Sequence, residues 1–96
     1  MRAAYILKVR SGKETDYRKA HRAVWPELIE EAQKAGIRNH SVFMSGRTLF
    51  VYLEADDPEK SMASLKSTPV KMRWDDYMRH FLEPEIVSLE EVFYMP

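Results

Sequence analysis

The 96-residue sequence has no cysteine, only three glycines and no excess of either charge, with 15 basic and 15 acidic residues. The absence of cysteine excludes disulfides and thiolate metal sites, and it favours a location in the reducing cytoplasm. Balanced charge without a basic run argues against nucleic acid or an anionic membrane as partner. No apolar run approaches the ~20 residues that span a bilayer, and we expect no signal peptide at the early-charged N-terminus.

The patterns that would indicate a metal or cofactor are also absent. His21, His40 and His80 lack a ligand spacing such as H-x-x-x-H, and no cysteine joins them. The glycines are too widely separated to form a phosphate-binding loop, and no local pattern indicates a Ser-His-Asp nucleophile. We therefore expect neither a metal nor an organic cofactor, and we expect His80, on the flank of a predicted helix, to face solvent.

Hydrophobic periodicity predicts a single domain over residues 1–96 with the element order β-α-β-β-α-β. Four strands are predicted, over residues 3–10, 38–44, 47–54 and 88–94. This order is typical of the ferredoxin-like α+β sandwich, in which helices cover one face of a four-stranded antiparallel sheet. Because Phe50 and Tyr52 point to the opposite face, we expect a homodimer packed sheet to sheet, a dimeric α/β barrel-like assembly.

Prolines divide both helical regions of the sequence. Residues 14–35 have helical periodicity, but Pro26 predicts a kink or a break within them. In the second region, Pro58 and Pro69 each follow a residue that favours the N-cap position, so two helix starts are predicted there. The last of these helices is expected to stop before Pro84.

His21 is the leading candidate for chemistry because it interrupts the apolar face of the first helical region. Its unperturbed pKa lies near neutrality, so it can accept or give a proton at pH 7. Tyr17 lies one helical turn earlier on the same face, and Trp25 and Trp74 can stack on a sugar ring or fill the core. The residues alone leave open whether His21 is a packed core histidine or an acid–base group in an aromatic pocket.

Two further side chains also have two interpretations. His40 lies in the first hairpin strand on the side of Val42 and Met44, where it either makes a local hydrogen bond or faces a ligand. Asp75 directly follows Trp74, and it is either solvated or a carboxylate of the site.

Five blocks of the sequence resemble the L-rhamnose mutarotase family, and they occur in order along the whole chain. They are Y-x-x-x-H-x-x-x-W-P-E-L (17–28), G-x-x-N (36–39), L-F-x-x-x-E (49–54), R-W-x-x-Y-M (73–78) and L-x-E-V-F-Y-x-P (89–96). The first and last blocks are the most specific. The resemblance implies a dimeric ferredoxin-like fold and an isomerase that interconverts the α and β anomers of the monosaccharide L-rhamnose.

The resemblance also implies roles for individual residues. The family's proton donor falls on His21, its substrate-binding tyrosine on Tyr17 and the first aromatic residue of the fourth block on Trp74. His40 stands where the family usually has tyrosine, and Asp75 stands where it usually has a second tryptophan. We expect both to bind the substrate as well. A carboxylate in place of an aromatic wall exchanges stacking for hydrogen bonds to hydroxyls, so L-fucose or another aldose is an alternative substrate.

Two other functions stay open at this level. Small dimeric ferredoxin-like proteins include cofactor-free and haem-dependent monooxygenases, which is an analogy of fold alone. A non-catalytic sugar-binding dimer, with His21 merely packed, is the second. For a mutarotase, His21 as imidazolium would protonate the ring oxygen, and the base that removes the anomeric proton is Asp75, His40 or a water.

Overall fold

Four strands and four helices follow one another along the chain in the predicted order. The computed structural model describes residues 1–96, and its strands are β1 (Arg2–Lys8), β2 (Arg38–Ser45), β3 (Thr48–Glu54) and β4 (Val87–Leu89). Its helices are α1 (Glu14–His21), α2 (Pro26–Lys34), α3 (Pro58–Lys66) and α4 (Pro69–Met78). None of these helices has the length and apolar character that crossing a bilayer requires.

The helix starts confirm the interpretation of the prolines. Helices α2, α3 and α4 each begin at a proline, whose fixed φ suits the first turn and whose missing N–H would have no partner there. Asp57 caps α3 by accepting the backbone N–H of Lys60 at 3.2 Å. Trp25, before Pro26, is extended with ψ of 127°, because proline disfavours helical geometry in the preceding residue. The first helical region is therefore broken, and α1 ends at His21.

The sheet has the strand order β2-β3-β1-β4, and each neighbouring pair is antiparallel. This topology is the ferredoxin-like arrangement that the sequence predicts. Leu49, Val51 and Leu53 of β3 face the helices and are at most 2% exposed. The helices thus cover one face of the sheet, and the core lies between them and β3.

The opposite face of the sheet, here called the outer face, is not covered by any helix of the chain. It carries Phe43 and Phe50, which pair across β2 and β3 and are 62% and 38% exposed. Ile6 pairs with Phe50 on one side and with Val87 on the other. An apolar strip therefore crosses all four strands on the outer face, as the directions of Phe50 and Tyr52 predict.

The last strand is shorter than predicted. Residues 88–94 were expected to pair, but β4 covers only Val87–Leu89. Leu89 pairs with Ala4, and β1 begins only two residues before Ala4, so little of β1 is left to pair with. The chain beyond β4 is held instead by side chains, since Arg2 forms an ion pair with Glu91 at 2.7 Å. The predicted first strand, 3–10, also ends early, at Lys8, where Glu83 donates its N–H to the Lys8 carbonyl.

The core packing leads to a prediction of stability. Leu49→Ala should lower the free energy of unfolding by about 2–5 kcal/mol, because the fully buried side chain leaves a cavity. Met72→Ala is the control, since Met72 is 53% exposed on α4 and should change stability by less than about 0.5 kcal/mol. Urea unfolding followed by circular dichroism measures both. Equal losses for the two variants would contradict this description of the core.

Candidate active site

A cavity of about 640 Å³ lies between the helices and the helix-facing side of the sheet. This volume is within the ~300–1,000 Å³ range of small-molecule sites. Most of the wall is apolar, with Val24 and Leu28 on one side and Trp74 on another. The polar side chains of the wall come from α1, α2, the start of β2 and α4; they are His21, Gln33, Arg38, Asn39, His40 and Lys71.

His21 is held in the cavity wall by aromatic neighbours and one hydrogen bond. Its ring stacks on Tyr17 with centroids 4.1 Å apart, and it meets Trp74 edge-on at 5.4 Å. Nδ1 lies 3.2 Å from the carbonyl oxygen of Tyr17. Because a carbonyl only accepts, Nδ1 carries the proton of this bond. Nε2 has no hydrogen-bond partner in the chain and is left for a ligand.

Burial lowers the pKa of His21 below its usual 6.5, and the hydrogen bond to the Tyr17 carbonyl opposes this shift only in part. The neutral imidazole is therefore the main form at pH 7. The minor imidazolium form is a stronger acid than an ordinary histidine. A group that changes protonation state below its usual pKa in this way can give a proton and take it back.

The two tryptophans occupy different positions around His21. Trp74 is 6% exposed and lines the cavity. Trp25 packs edge-on against Trp74 at 5.0 Å and stacks on Tyr77. It lies behind Trp74 and lines a second cavity of about 520 Å³, not the first. Tyr17, which is 4% exposed, supports His21 and is not part of the cavity wall.

His40 lines the cavity at a β-bulge near the start of β2. Arg38 pairs with Glu54, and Ser41 pairs with Tyr52, so β2 has one residue more than β3 between these pairs. Asn39 has φ of 52°, a left-handed conformation that asparagine tolerates better than most residues. The expectation that His40 lies on the side of Val42 agrees with their shared position in the cavity wall.

The pKa of His40 is also lowered, first by desolvation and then by the positive charges of Lys71 and His21. The His40 side chain remains open to solvent through the cavity mouth. The protein atoms of the cavity wall nevertheless displace enough water from the imidazole of His40 to disfavour its charged form.

Asp75, like Tyr17, is a predicted site residue that stands behind another side chain. It does not line the cavity, and its carboxylate pairs with Lys71, which does. Its charge still acts in the site, because burial first and then Asp75 raise the pKa of Tyr5 on the cavity wall. Sequence reasoning missed Lys71 and Tyr5. The spacing of four residues between Lys71 and Asp75 was the only available signal.

The fold and this cavity define a class of protein: a ferredoxin-like α+β domain with a cavity of small-molecule size and a histidine in its wall. Comparison with known proteins makes the class specific. Residues 2–95 match a family model described as L-rhamnose mutarotase. The L-rhamnose mutarotase of Oceanobacillus iheyensis is 32% identical over 102 residues, which cover 98% of this chain and 97% of that protein.

Solved structures agree with this match. The crystal structure of an L-rhamnose mutarotase from Formosa agariphila has a TM-score of 0.86 at 27% identity and covers 100% of this chain and 99% of that one. A dimeric ferredoxin-like protein from an uncultured marine organism, with a TM-score of 0.68 at 14% identity, shares the fold alone, over 99% of this chain and 97% of that one. The chain belongs to the L-rhamnose mutarotase family, a family of carbohydrate isomerases that interconvert anomers. The resemblance found in the sequence is thereby confirmed.

The lowered pKa values of His21 and His40 predict how stability depends on pH. In the unfolded chain both titrate near 6.5, so just below that pH the unfolded state binds more protons than the folded state. The contribution of the two neutral histidines to the free energy of unfolding is complete above about pH 6.5. It is lost as the pH falls towards their pKa values in the folded state. We expect the free energy of unfolding to decrease from pH 7.5 to 5.5, and less so in the double variant His21→Gln/His40→Gln. Urea unfolding measures this slope, and NMR titrations placing both histidines above 6.5 would contradict its cause.

Proposed function

We propose that this chain interconverts the α and β anomers of L-rhamnose and that His21 is its proton-transfer residue. The observation that carries the proposal is the unpaired Nε2 of an imidazole in a cavity wall, held by Tyr17 and Trp74. Family membership supplies the reaction, and this geometry supplies a group able to perform it. A packed histidine with both nitrogens satisfied in the interior would support the non-catalytic alternative instead.

The reaction needs one proton given and one proton taken. The His21 imidazolium donates its Nε2 proton to the ring oxygen while a base removes the proton of the anomeric hydroxyl. The bond between C1 and the ring oxygen breaks, and the aldehyde forms. Rotation about the C1–C2 bond presents the other face of the aldehyde, and ring closure returns both protons to their donors.

The base has two remaining candidates among the three that the sequence leaves open. The carboxylate of Asp75 is engaged by Lys71 and lies outside the cavity wall, so it is a poor choice. His40 lines the cavity, and its lowered pKa keeps it neutral and able to accept a proton at pH 7. We therefore favour His40 or a water molecule.

The apolar part of the wall supports a deoxy sugar as substrate. Val24, Leu28 and Trp74 offer contact to a methyl group and to the C–H face of a pyranose ring. L-fucose, another deoxyhexose, is the second candidate, because His40 and Asp75 differ from the aromatic side chains that the family pattern places at these two positions.

We also propose that the chain is a homodimer that buries the outer face of the sheet. Phe43 and Phe50 are exposed on this face, and apolar residues that follow β4 are also exposed, with Val92 at 87% and Phe93 at 72%. Such a contiguous apolar surface is unusual on a monomer. The cytoplasmic location expected from the lack of cysteine stays a prediction.

Replacing His21 tests the catalytic assignment. His21→Asn should lower the enzyme-dependent rate of anomer exchange by about 10²–10⁴-fold, because it removes the positioned proton donor. Saturation-transfer NMR on L-rhamnose, L-fucose and other aldoses measures exchange and identifies the preferred sugar. His80→Asn, at an exposed site away from the cavity, should retain the wild-type rate.

The pH profile separates the two possible roles of His21. If His21 donates the proton and water is the base, the background-corrected kcat/KM should rise as the pH falls below 7 and should level off below the lowered pKa of His21. If His40 is the base, protonation of His40 should make the rate fall again at lower pH. A rate that rises with pH through this region in His40→Gln would assign the base role to His21. An exchange rate unchanged in His21→Asn would remove it from the mechanism.

Placing a charge on the outer face tests the dimer. Phe43→Asp should shift the protein from dimer to monomer in sedimentation velocity, because burying an unpaired carboxylate is strongly unfavourable. Met72→Asp, on an exposed helical position, should leave the sedimentation coefficient unchanged. A wild-type protein that sediments as a monomer at micromolar concentration would contradict the proposal.

A further inference from the structure

The ion pair between Lys71 and Asp75 differs from the other helical pairs of the chain. The Lys71 side chain is only 17% exposed and that of Asp75 37%, and their charged atoms are 2.5 Å apart. The pair between Lys34 and Glu30 on α2 has the same spacing of four residues but is exposed at 62% and 67%. The Lys71 pair is therefore partly withdrawn from solvent, whereas the α2 pair lies on the surface.

The order of the two charges makes this pair a weaker helix stabiliser than the α2 pair. At this spacing a carboxylate four residues before a lysine supports a helix better than the reverse. Glu30 and Lys34 follow the favourable order, and Lys71 and Asp75 follow the unfavourable one. The position of Lys71 in the cavity wall offers another reason for the pair.

The hydrogen-bonding capacity of Lys71 is only partly used. An ammonium group carries three N–H donors, and the chain supplies one acceptor, the Asp75 carboxylate. Two donors are left for a molecule in the cavity. The charges of this pair also reach other parts of the wall, since Lys71 lowers the pKa of His40 and Asp75 raises that of Tyr5.

We infer that Lys71 is a specificity-determining residue that donates hydrogen bonds to two adjacent ring hydroxyls of the sugar and that Asp75 is the positioning residue that holds its ammonium group. This inference deepens the proposed function and rests on it for the class of ligand. The hydroxyls concerned are not those of ring opening, so the ligand is an aldopyranose with a free vicinal diol. A sugar that lacks one of these hydroxyls leaves a part-buried N–H donor of Lys71 unpaired. An unpaired buried donor lowers affinity strongly, so the site discriminates between sugars with and without this hydroxyl.

The test compares L-rhamnose with its 2-, 3- and 4-deoxy analogues on wild type and on Lys71→Met. Binding is measured by quenching of tryptophan fluorescence, since Trp74 lines the cavity, and exchange is measured by NMR. Wild type should bind at least one analogue about tenfold or more weakly than L-rhamnose. Lys71→Met should bind L-rhamnose as weakly as wild type binds that analogue. The affinity of Lys71→Met for the analogue should be little lower than its affinity for L-rhamnose.

Matched variants distinguish a loss of sugar binding from a loss of folded structure. Lys71→Arg keeps the donors and should retain part of the discrimination, and Lys66→Met, on the exposed side of α3, should behave as wild type. Asp75→Asn should raise KM for L-rhamnose with kcat nearly unchanged. In Lys71→Met, NMR should show the pKa of His40 moving up, a sign that the folded site has lost a nearby positive charge.

The outcomes distinguish this inference from the proposed function. Selective binding by wild type that disappears in Lys71→Met, without any acceleration of exchange, would support Lys71 and reject the mutarotase activity. Exchange with undiminished discrimination in Lys71→Met would overturn the role of Lys71 and leave the activity intact. Failure of L-rhamnose to bind wild type at millimolar concentration would overturn both.

Discussion

The packing of His21 and Trp25 against the buried Trp74 joins three helical parts of the chain that line the cavity. Trp74 belongs to α4, His21 ends α1, and Trp25 directly precedes α2. Edge-to-face contacts of this kind contribute about 0.5–1.5 kcal/mol each beyond the area they bury. Together with the stacking on Tyr17 and the hydrogen bond to its carbonyl, these contacts fix the His21 imidazole in the cavity wall.

The break between α1 and α2 places these aromatic residues where the cavity needs them. A continuous helix over the same residues would keep His21 and Trp25 one turn apart on a single face. Because Pro26 forces Trp25 into an extended conformation, the two rings approach Trp74 from different directions. His21 reaches the cavity wall, and Trp25 fills the space behind Trp74. The composition of the cavity wall therefore depends on a local backbone constraint as much as on the identity of the histidine.

The two faces of the sheet carry different features. The helix-facing side carries the core and the cavity, whose wall includes Tyr5 and Val42. The outer face carries the exposed apolar strip of Phe43 and Phe50. Because side chains alternate along a strand, neighbouring residues of one strand serve different tasks, and a substitution such as Phe43→Asp can change assembly without changing the cavity wall.

The sequence by itself determined the order of the elements, the breaks at the prolines, the ferredoxin-like topology and the choice of His21, because these follow from local periodicity, from backbone restrictions and from blocks of consecutive residues. Only the tertiary structure decided that Tyr17 supports His21 from behind and that β2 has a bulge beside His40. The same is true of the position of Lys71 between Asp75 and the cavity and of the end of β4 at Leu89. The reason is physical. Burial, strand register and shifted pKa values depend on which distant residues meet in space, and no window of consecutive residues contains that information.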